Sequence, residues 1–169
     1  MFHDHHSDSE LRLLFEAAPT GMIVIDQAGV IAFANKQIEE LFGYSRGELI
    51  GRSVEILIPD RFRAGHPAKR AAFVKTPTPR PMGAGRDLFG MRKNGTEFPI
   101  EIGLNPFRSG DRLLVVGSII DITERKRNEE HIRVIMNELS HRSKNLLMVV
   151  LAIANQTVQR ATSFGEFQR

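Results

Sequence analysis

Length, charge and cysteine count narrow the classes of protein to which this chain can belong. Its 169 residues suit one compact domain with an appendage, and the net charge of +3 is too small to indicate a nucleic-acid partner by itself. The chain has no cysteine, which excludes disulfides, cysteine metal sites and photochemistry at a thiol. Because no apolar run approaches ~20 residues and no secretory signal is visible, the sequence predicts a cytoplasmic protein without a membrane span.

Hydrophobic periodicity and turn residues predict an α+β fold in which short helices interrupt five strands. Residues 1–9, which include His3, His5 and His6, predict a disordered terminus, because chain ends fray. Residues 76–81 carry three prolines and predict an exposed loop. In chain order, the predicted elements are a helix at 10–18, strands at 22–25 and 30–34, short helices after Asn35 and at 53–57 and 67–74, strands at 86–93, 97–104 and 113–120, and a helix from 121 to about 159.

The last predicted helix is by far the longest. Asp121 caps its start, and at 1.5 Å per residue it extends about 55 Å. Ile132, Leu139, Leu146 and Ile153 recur every seven residues and therefore share one apolar stripe. Since a single small domain does not need a helix of this length, the stripe predicts a homodimer through the C-terminal helix.

One histidine lies on this helix opposite the apolar stripe. At roughly 100° per residue, His141 falls about 200° from Leu139, and Lys144 and Asn145 flank it at about 140° and 240°. An exposed imidazole is a nucleophile that can accept a phosphoryl group, and a neighbouring lysine offsets phosphate charge. A solvated histidine with no catalytic role is the alternative that the spacing leaves open.

Two short motifs surround this histidine. Residues 138–147 read ELSHRSKNLL and residues 153–157 read IANQT. Together they resemble the phosphoacceptor box of the HWE-type sensor histidine kinases, which reads His-Arg-x-Lys-Asn with a downstream Ile-Ala-x-Gln-Thr. The resemblance implies that His141 is autophosphorylated from ATP, with Lys144 and Asn145 in support, and that the phosphoryl group then passes to an aspartate of a response regulator.

The order of elements before this helix is also distinctive. Residues 15–19 read FEAAP, Asn35 follows the second predicted strand, residues 42–44 read FGY, and residues 121–123 read DIT. The pattern resembles the PAS domain over about residues 10–123. It implies a five-stranded antiparallel sheet with helices on one face and a pocket between the two, followed here by a long coiled-coil helix.

Two segments bear on what such a pocket holds. Residues 58–66, ending in His66, and residues 82–86, ending in Arg86, resemble the haem-ligating histidine segment and the Gly-x-Gly-Arg segment of FixL-type oxygen sensors. The resemblance implies haem ligated by His66, with Arg86 near the bound gas. In contrast to that family, however, residues 67–69 read PAK rather than Asp-x-Tyr.

Other interpretations of the same residues stay open. In one, His66 caps the following helix and Arg86 pairs with an acid such as Asp87 or Glu101. In another, the pocket is empty or holds a lipid-like molecule, and its lining residues also suit an ordinary core. The apolar residues expected around it are Ile23, Phe33, Ile38, Phe42, Leu57 and Phe73.

These patterns predict three regions: a terminus (1–9), a PAS sensor domain (10–123), and a signalling helix with the first helix of a truncated dimerisation and phosphoacceptor domain (124–169). The predicted function is the sensory and phosphoacceptor part of a two-component sensor histidine kinase. No segment resembles an ATP-binding domain, so the chain is expected to belong to a longer kinase and to be inactive without that domain. The alternatives are a haem-binding PAS gas or redox sensor and a PAS dimerisation module without phosphotransfer.

Overall fold

The computed structural model describes residues 4–82 and 87–166, and it gives the surroundings of side chains for residue 10 and for residues 12–82 and 87–156. The chain divides into two units, Met1–Thr123 and Glu124–Arg169. In chain order the elements are α1 (Asp4–Ala17), β1 (Gly21–Asp26), β2 (Ile31–Ala34), α2 (Lys36–Phe42), α3 (Arg46–Leu49), a 3-10 helix (Val54–Leu57), α4 (Asp60–Arg63), α5 (His66–Lys75), β3 (Arg80–Met82), β4 (Leu88–Met91), β5 (Glu97–Ser109), β6 (Arg112–Asp121) and α6 (Thr123–Glu166).

The strands form one antiparallel sheet in the order β2-β1-β6-β5-β3, and β4 also pairs with β5. The predicted α+β fold, an antiparallel sheet with short helices followed by a long helix, is confirmed. The described part of the sheet has six strands rather than five, because Arg80–Met82 pairs with β5. The prediction that residues 76–81 form a loop is therefore wrong for Arg80 and Pro81, which belong to β3. A proline is tolerated in this strand because β3 lies at the edge of the sheet, where its missing N–H removes no hydrogen bond between strands.

Two helices differ in length from their predictions. The first, α1, begins at Asp4, so it overlaps the segment 1–9 for which the sequence predicts disorder. The last, α6, has 44 residues and continues to Glu166, beyond the expected end near residue 159.

The hydrophobic core lies between one face of the sheet and the short helices α2, α3 and the 3-10 helix. Apolar side chains that alternate along β1, β5 and β6 meet the inward faces of these helices, as their period-2 and period-3.6 patterns require. The buried cluster consists of Ile23, Ile31, Ala34, Ile38, Phe42, Leu49, Leu57, Phe98, Ile100 and Ile119.

A bulge decides which face of the sheet Phe33 occupies. The register pairs Val24 with Phe33 and Ile25 with Ile31, so Ala32 is an extra residue in β2. Because one extra residue reverses the alternation, Ile31 enters the core and Phe33 lies on the opposite face. The prediction that Phe33 lines a pocket together with the core residues is therefore wrong.

Asn35 is fully buried and joins α1, β1 and α2. Its Oδ1 accepts hydrogen bonds from the backbone N–H groups of Met22 at 2.8 Å and Ile38 at 3.2 Å. Its Nδ2 donates to the carbonyl oxygens of Phe15 at 3.2 Å and Thr20 at 2.9 Å. The predicted cap of α2 is confirmed, and the same side chain also holds the end of α1 against the start of β1.

Candidate phosphoacceptor and sensor sites

His141 lies in the middle of α6, and its side chain is exposed, as are those of Lys144 and Asn145. Positions three and four residues apart are neighbours on a helix surface, so both side chains lie on the His141 side of the helix. An exposed imidazole is accessible to a phosphoryl donor brought by another domain, and a lysine and an amide beside it suit the negative charge of the transferred group.

A second cation close in sequence is held away from this side of the helix. Arg142 forms an ion pair with Glu138 one turn earlier, with 2.5 Å between Nη2 and Oε1. Both side chains are more than half exposed, so the pair contributes at most about 0.5 kcal/mol to helix stability. Lys144 is therefore the cation that the helix offers next to His141.

The predicted apolar stripe of α6 is exposed. Ile132, Leu139 and Leu146 have 60%, 54% and 71% of their surface accessible. Large apolar side chains repeated at heptad spacing normally pack against another helix, so this stripe is a candidate surface for helix pairing. Within the part of the chain that the structure describes, no helix combines the length and the apolar character needed to cross a bilayer.

Four of the residues expected to line a pocket between sheet and helices are packed in the core. Ile38 and Phe42 are at most 1% exposed, and Ile23 and Leu57 are 3% exposed. These residues bury one another in the core cluster, as close packing of protein interiors requires. A surface depression of about 270 Å³ lies elsewhere, between the end of α2 and the β4–β5 turn, and includes Phe42, Arg92 and Lys93.

His66 is the first residue of α5 and faces a carboxylate. Its Nδ1 lies 3.0 Å from Oε1 of Glu55, and a quarter of its side chain is exposed. Gly65 occupies the N-cap position of α5, so the alternative in which His66 caps this helix is wrong. The ring instead links α5 to the 3-10 helix.

Glu55 is the centre of a polar cluster that the sequence analysis missed. It accepts from Ser53 Oγ and Arg70, and Arg70 also donates to the carbonyl oxygen of Gln27 at 3.1 Å. Burial raises the pKa of Glu55, but hydrogen bonds from Ser53 and His66 and the charge of Arg70 outweigh it and lower the pKa to about 2. The sequence did contain one signal for this cluster, a single acidic residue inside the apolar run 54–58. Such a residue is expected to be buried, and a buried carboxylate needs hydrogen-bond or ionic partners.

The donor chemistry of His66 suits a haem ligand. Because Glu55 engages Nδ1, Nε2 of His66 is the ring nitrogen left to ligate a metal, and a carboxylate on the other nitrogen is usual for such a ligand. Four of the expected lining residues, Ile23, Ile38, Phe42 and Leu57, belong to the core cluster. Arg86, the predicted gas-side cation, lies outside the described residues.

Another polar cluster, around Asp121, lies at the end of β6, just before the start of α6. Asp121 Oδ2 lies 2.8 Å from Arg92 Nη2, and Asp121 Oδ1 accepts from the backbone N–H of Thr123 at 2.8 Å. Arg92 also donates to the carbonyl oxygen of Leu41 and lies 3.9 Å from the centre of the Phe98 ring. Burial raises the pKa of Asp121, but the hydrogen bonds from Thr123 and Arg92 outweigh it and lower the pKa.

Comparison with known families agrees with this geometry. Residues 19–124 match the PAS domain family, and residues 138–169 match the HWE histidine kinase family. The first match spans more than half of the chain, which therefore belongs to the PAS domain family and continues into a HWE histidine kinase segment. The predicted resemblance to PAS-domain sensor histidine kinases of the HWE type is confirmed.

Individual relatives share both parts. The sensor protein FixL of Bradyrhizobium diazoefficiens is 33% identical over 164 residues, covering 96% of this chain and 32% of that protein. Blue-light-activated histidine kinase 1 of Erythrobacter litoralis is 30% identical over 150 residues, covering 81% of this chain and 38% of that protein. The chain thus spans about a third of the length of these relatives.

A solved structure supports the fold by itself. The PAS domain of an HTR-like protein from Haloarcula marismortui superposes with a TM-score of 0.60 at 22% identity, covering 69% of this chain and 93% of that domain. At this level of identity the similarity establishes the PAS fold and nothing about a ligand.

Proposed function

We propose that this chain is the sensory and phosphoacceptor part of a two-component sensor histidine kinase and that His141 is its phosphorylated residue. The observation that carries the proposal is an exposed His141 within the matched HWE segment, with Lys144 and Asn145 on the same side of α6. The wider activity belongs to the full-length protein, of which the relatives suggest that about two thirds lies outside this chain.

The proposed reaction has two steps. A ring nitrogen of His141 attacks the γ-phosphorus of ATP held by the ATP-binding domain of the full-length kinase. The N–P bond forms as the bond from the γ-phosphorus to the bridging oxygen breaks and ADP leaves. An aspartate oxygen of a response regulator then attacks the phosphorus, and the N–P bond breaks. Lys144 offsets the charge of the phosphoryl group in both steps.

We further propose that α6 pairs with α6 of a second copy through Ile132, Leu139 and Leu146. Pairing would cover the exposed stripe and leave His141 on the outside of the dimer, where a partner domain reaches it. The PAS domain would control phosphorylation through the Asp121–Arg92 cluster, since this cluster ties the sheet to the residue at which α6 starts.

Labelling with phosphate tests the acceptor. The full chain is mixed with the separated ATP-binding domain of the kinase and ATP labelled at the γ-phosphate. We expect label that survives alkali and is lost in acid, as phosphorylated imidazole requires, and that disappears in His141→Gln. The matched control is His131→Gln, an exposed histidine on the same helix, which should label normally. Label that persists in His141→Gln would refute the assignment.

Lys144 should modulate this reaction without being essential. An exposed charge contact contributes about 1 kcal/mol, so Lys144→Ala should slow labelling about fivefold, and Lys144→Arg should restore most of the rate. Initial rates at saturating ATP-binding domain measure the effect. An unchanged labelling rate in Lys144→Ala would show that this lysine has no role in phosphorylation of His141.

The mass in solution tests the pairing of α6. One copy has a mass of 19.0 kDa, and light scattering at tens of micromolar should give twice that value. Leu139→Glu combined with Leu146→Glu should give the monomer. Val134→Glu is the control, because Val134 is exposed to the same degree, 55%, but lies off the stripe. A monomeric mass for the unmodified chain would contradict the dimer.

A second candidate function is gas or redox sensing by haem ligated at His66. The Glu55–His66 contact favours it, because it orients the ring as in other metal-ligating histidines. FixL, with which the chain aligns over 96% of its length, is named a sensor protein. Haem would supply a gas-binding iron, and in this chain His66 would hold it.

An absorption spectrum after expression with a haem precursor tests this candidate. A Soret band that is lost in His66→Ala and kept in His131→Ala would support it. A colourless protein, or equal haem uptake by both variants, would count against it. The far-ultraviolet circular dichroism of each variant confirms that the PAS unit remains folded.

A further inference from the structure

The turn of α6 that precedes His141 carries a carboxylate beside the imidazole. Glu138 lies three positions before His141, and at roughly 100° per residue the two are about 60° apart around the helix. Residues at this spacing are neighbours on a helix surface. Lys144 and Asn145 occupy the turn that follows His141. The imidazole therefore has an acid on its N-terminal side as well as a cation and an amide on its C-terminal side.

An ion pair directs this carboxylate toward the turn that contains His141. Oε1 of Glu138 lies 2.5 Å from Nη2 of Arg142, the residue that directly follows His141. A carboxylate that reaches Arg142 extends along the helix to the level of the imidazole. Around the helix, Glu138 lies between His141 and Arg142, at about 60° from the first and about 40° from the second. The ion pair therefore keeps the carboxylate beside the ring.

The direction of helical side chains favours a contact between the two groups. Side chains on a helix lean toward its N-terminus and over the preceding turn, so the imidazole leans toward residues 137 and 138. Asn137 and Glu138 are both exposed polar residues that can accept a hydrogen bond from a ring N–H. An ionised carboxylate forms a stronger hydrogen bond than a neutral amide does. Glu138 is therefore the favoured acceptor.

Such a hydrogen bond decides which ring nitrogen is free to react. A neutral imidazole carries its proton on one nitrogen and a lone pair on the other, and only the second can attack phosphorus. A partner that accepts from one N–H fixes the tautomer. Because Nδ1 is the ring nitrogen closer to the backbone, a carboxylate from the adjacent turn reaches Nδ1–H. Nε2, at the outer end of the ring, then keeps its lone pair.

We propose that Glu138 is a positioning residue for the phosphorylation of His141, an inference that rests on the proposed function. Its carboxylate accepts a hydrogen bond from Nδ1–H and holds the ring with the Nε2 lone pair outward, while Arg142 holds the carboxylate. As the bond from Nε2 to the γ-phosphorus forms and the bond to the bridging oxygen of ATP breaks, the ring gains positive charge. The carboxylate offsets this charge, and the Nδ1 proton remains between the ring and Glu138.

A second histidine on α6 provides an internal reference. His131 is also exposed, but the residues three and four positions before it are Asn128 and Arg127, so neither of these neighbours is an acid. Its ring therefore shows the tautomer of an exposed imidazole on this helix without a carboxylate in the preceding turn. A difference between His131 and His141 isolates the effect of Glu138.

Magnetic resonance of the ring nitrogens tests the hydrogen bond without any phosphorylation. In the isotopically labelled full chain at alkaline pH, the ratio of the Nδ1–H to the Nε2–H tautomer should be about fivefold higher at His141 than at His131. Glu138→Ala should lower the ratio at His141 to that of His131, whereas Asn137→Ala should leave it unchanged. Equal ratios at the two histidines of the unmodified chain would overturn the proposal, as would a change caused by Asn137→Ala alone.

The rate of labelling tests the consequence for the reaction. With the separated ATP-binding domain and labelled ATP, Glu138→Ala should lower kcat roughly tenfold and leave KM for ATP unchanged, because positioning acts on the nucleophile and not on ATP. The matched control is Glu130→Ala, which removes a similar ion pair on α6, 3.1 Å long to Arg133, from a side chain 57% exposed against 60% for Glu138.

Glu130→Ala should label at the unmodified rate. Equal rates in Glu138→Ala and Glu130→Ala would overturn the role of Glu138. Label that persists in His141→Gln would instead overturn the proposed function, so the two failures are distinguishable.

Discussion

The PAS unit and α6 differ in the burial of their apolar residues. Ile38 and Leu49 of the PAS unit are completely buried, whereas Leu139 and Leu146 of α6 are 54% and 71% exposed. The same residue type thus stabilises the fold of one unit and forms an uncovered surface on the other. The PAS unit completes its core with its own helices, while the stripe of α6 is the surface through which we propose that two copies pair.

Polar contacts show the same difference. In the PAS unit, Asn35 and Glu55 are buried, and each has several hydrogen-bond partners on other elements. In α6, by contrast, the ion pair of Arg142 with Glu138 is local and exposed. Buried and satisfied polar groups specify a tertiary arrangement, but exposed pairs one turn apart stabilise only the helix that contains them.

The largest expected effect contrasts one apolar deletion in each unit. Ile38→Ala should reduce the free energy of unfolding of the PAS unit by about 4 kcal/mol, because it leaves a cavity in a closed core. Leu146→Ala should leave it within about 0.5 kcal/mol. Tyr44, the single tyrosine of a chain without tryptophan, packs against the core, so its fluorescence during denaturation follows the PAS unit. Equal losses of unfolding free energy in the two variants would contradict this difference between the PAS unit and α6.

A smaller effect is expected from the buried amide. Asn35→Ala removes two acceptor and two donor contacts that join three elements, so a loss of about 3 kcal/mol is expected. Asn94→Ala, which removes an exposed contact to the N–H of Thr96, should lose less than about 1 kcal/mol. The same tyrosine signal measures both. A loss at Asn35 no greater than at Asn94 would show that its contacts do not hold the elements together.

The smallest effect is a dependence on pH from Glu55. Its pKa is about 2 in the folded protein and 4.5 in the reference state, so its ionised form stabilises the fold above pH 4.5. This stabilisation, about 2 kcal/mol after allowance for solvent, is lost as the pH falls from about 4.5 to about 2.

Glu55→Gln should therefore be less stable than the unmodified chain at pH 7, with the difference shrinking below pH 4.5. Denaturant unfolding at a series of pH values measures it. Glu40→Gln, at an exposed position, serves as the control and should keep the pH dependence of the unmodified chain. A difference that is constant over this range would show that Glu55 is not stabilised by its partners.

The sequence by itself determined the features that depend on near neighbours in the chain. The alternation in β1 and β6, the cap at Asn35, the heptad spacing of α6 and the HWE motif around His141 all follow from spacing along the chain. The PAS fold and the kinase family were therefore predictable. The roles of His141, Lys144 and Asn145 remain predictions that the labelling experiment tests.

Only the tertiary structure decided the features that depend on distant residues. The bulge at Ala32 turned Phe33 to the outer face, and the pairing of Arg80–Met82 with β5 extended the sheet. The contact of His66 with Glu55 likewise joins residues eleven positions apart on different helices. Register and buried pairing are set by the free energy of the whole packed unit, because a buried carboxylate or an extra strand residue is tolerated only where other elements provide its partners.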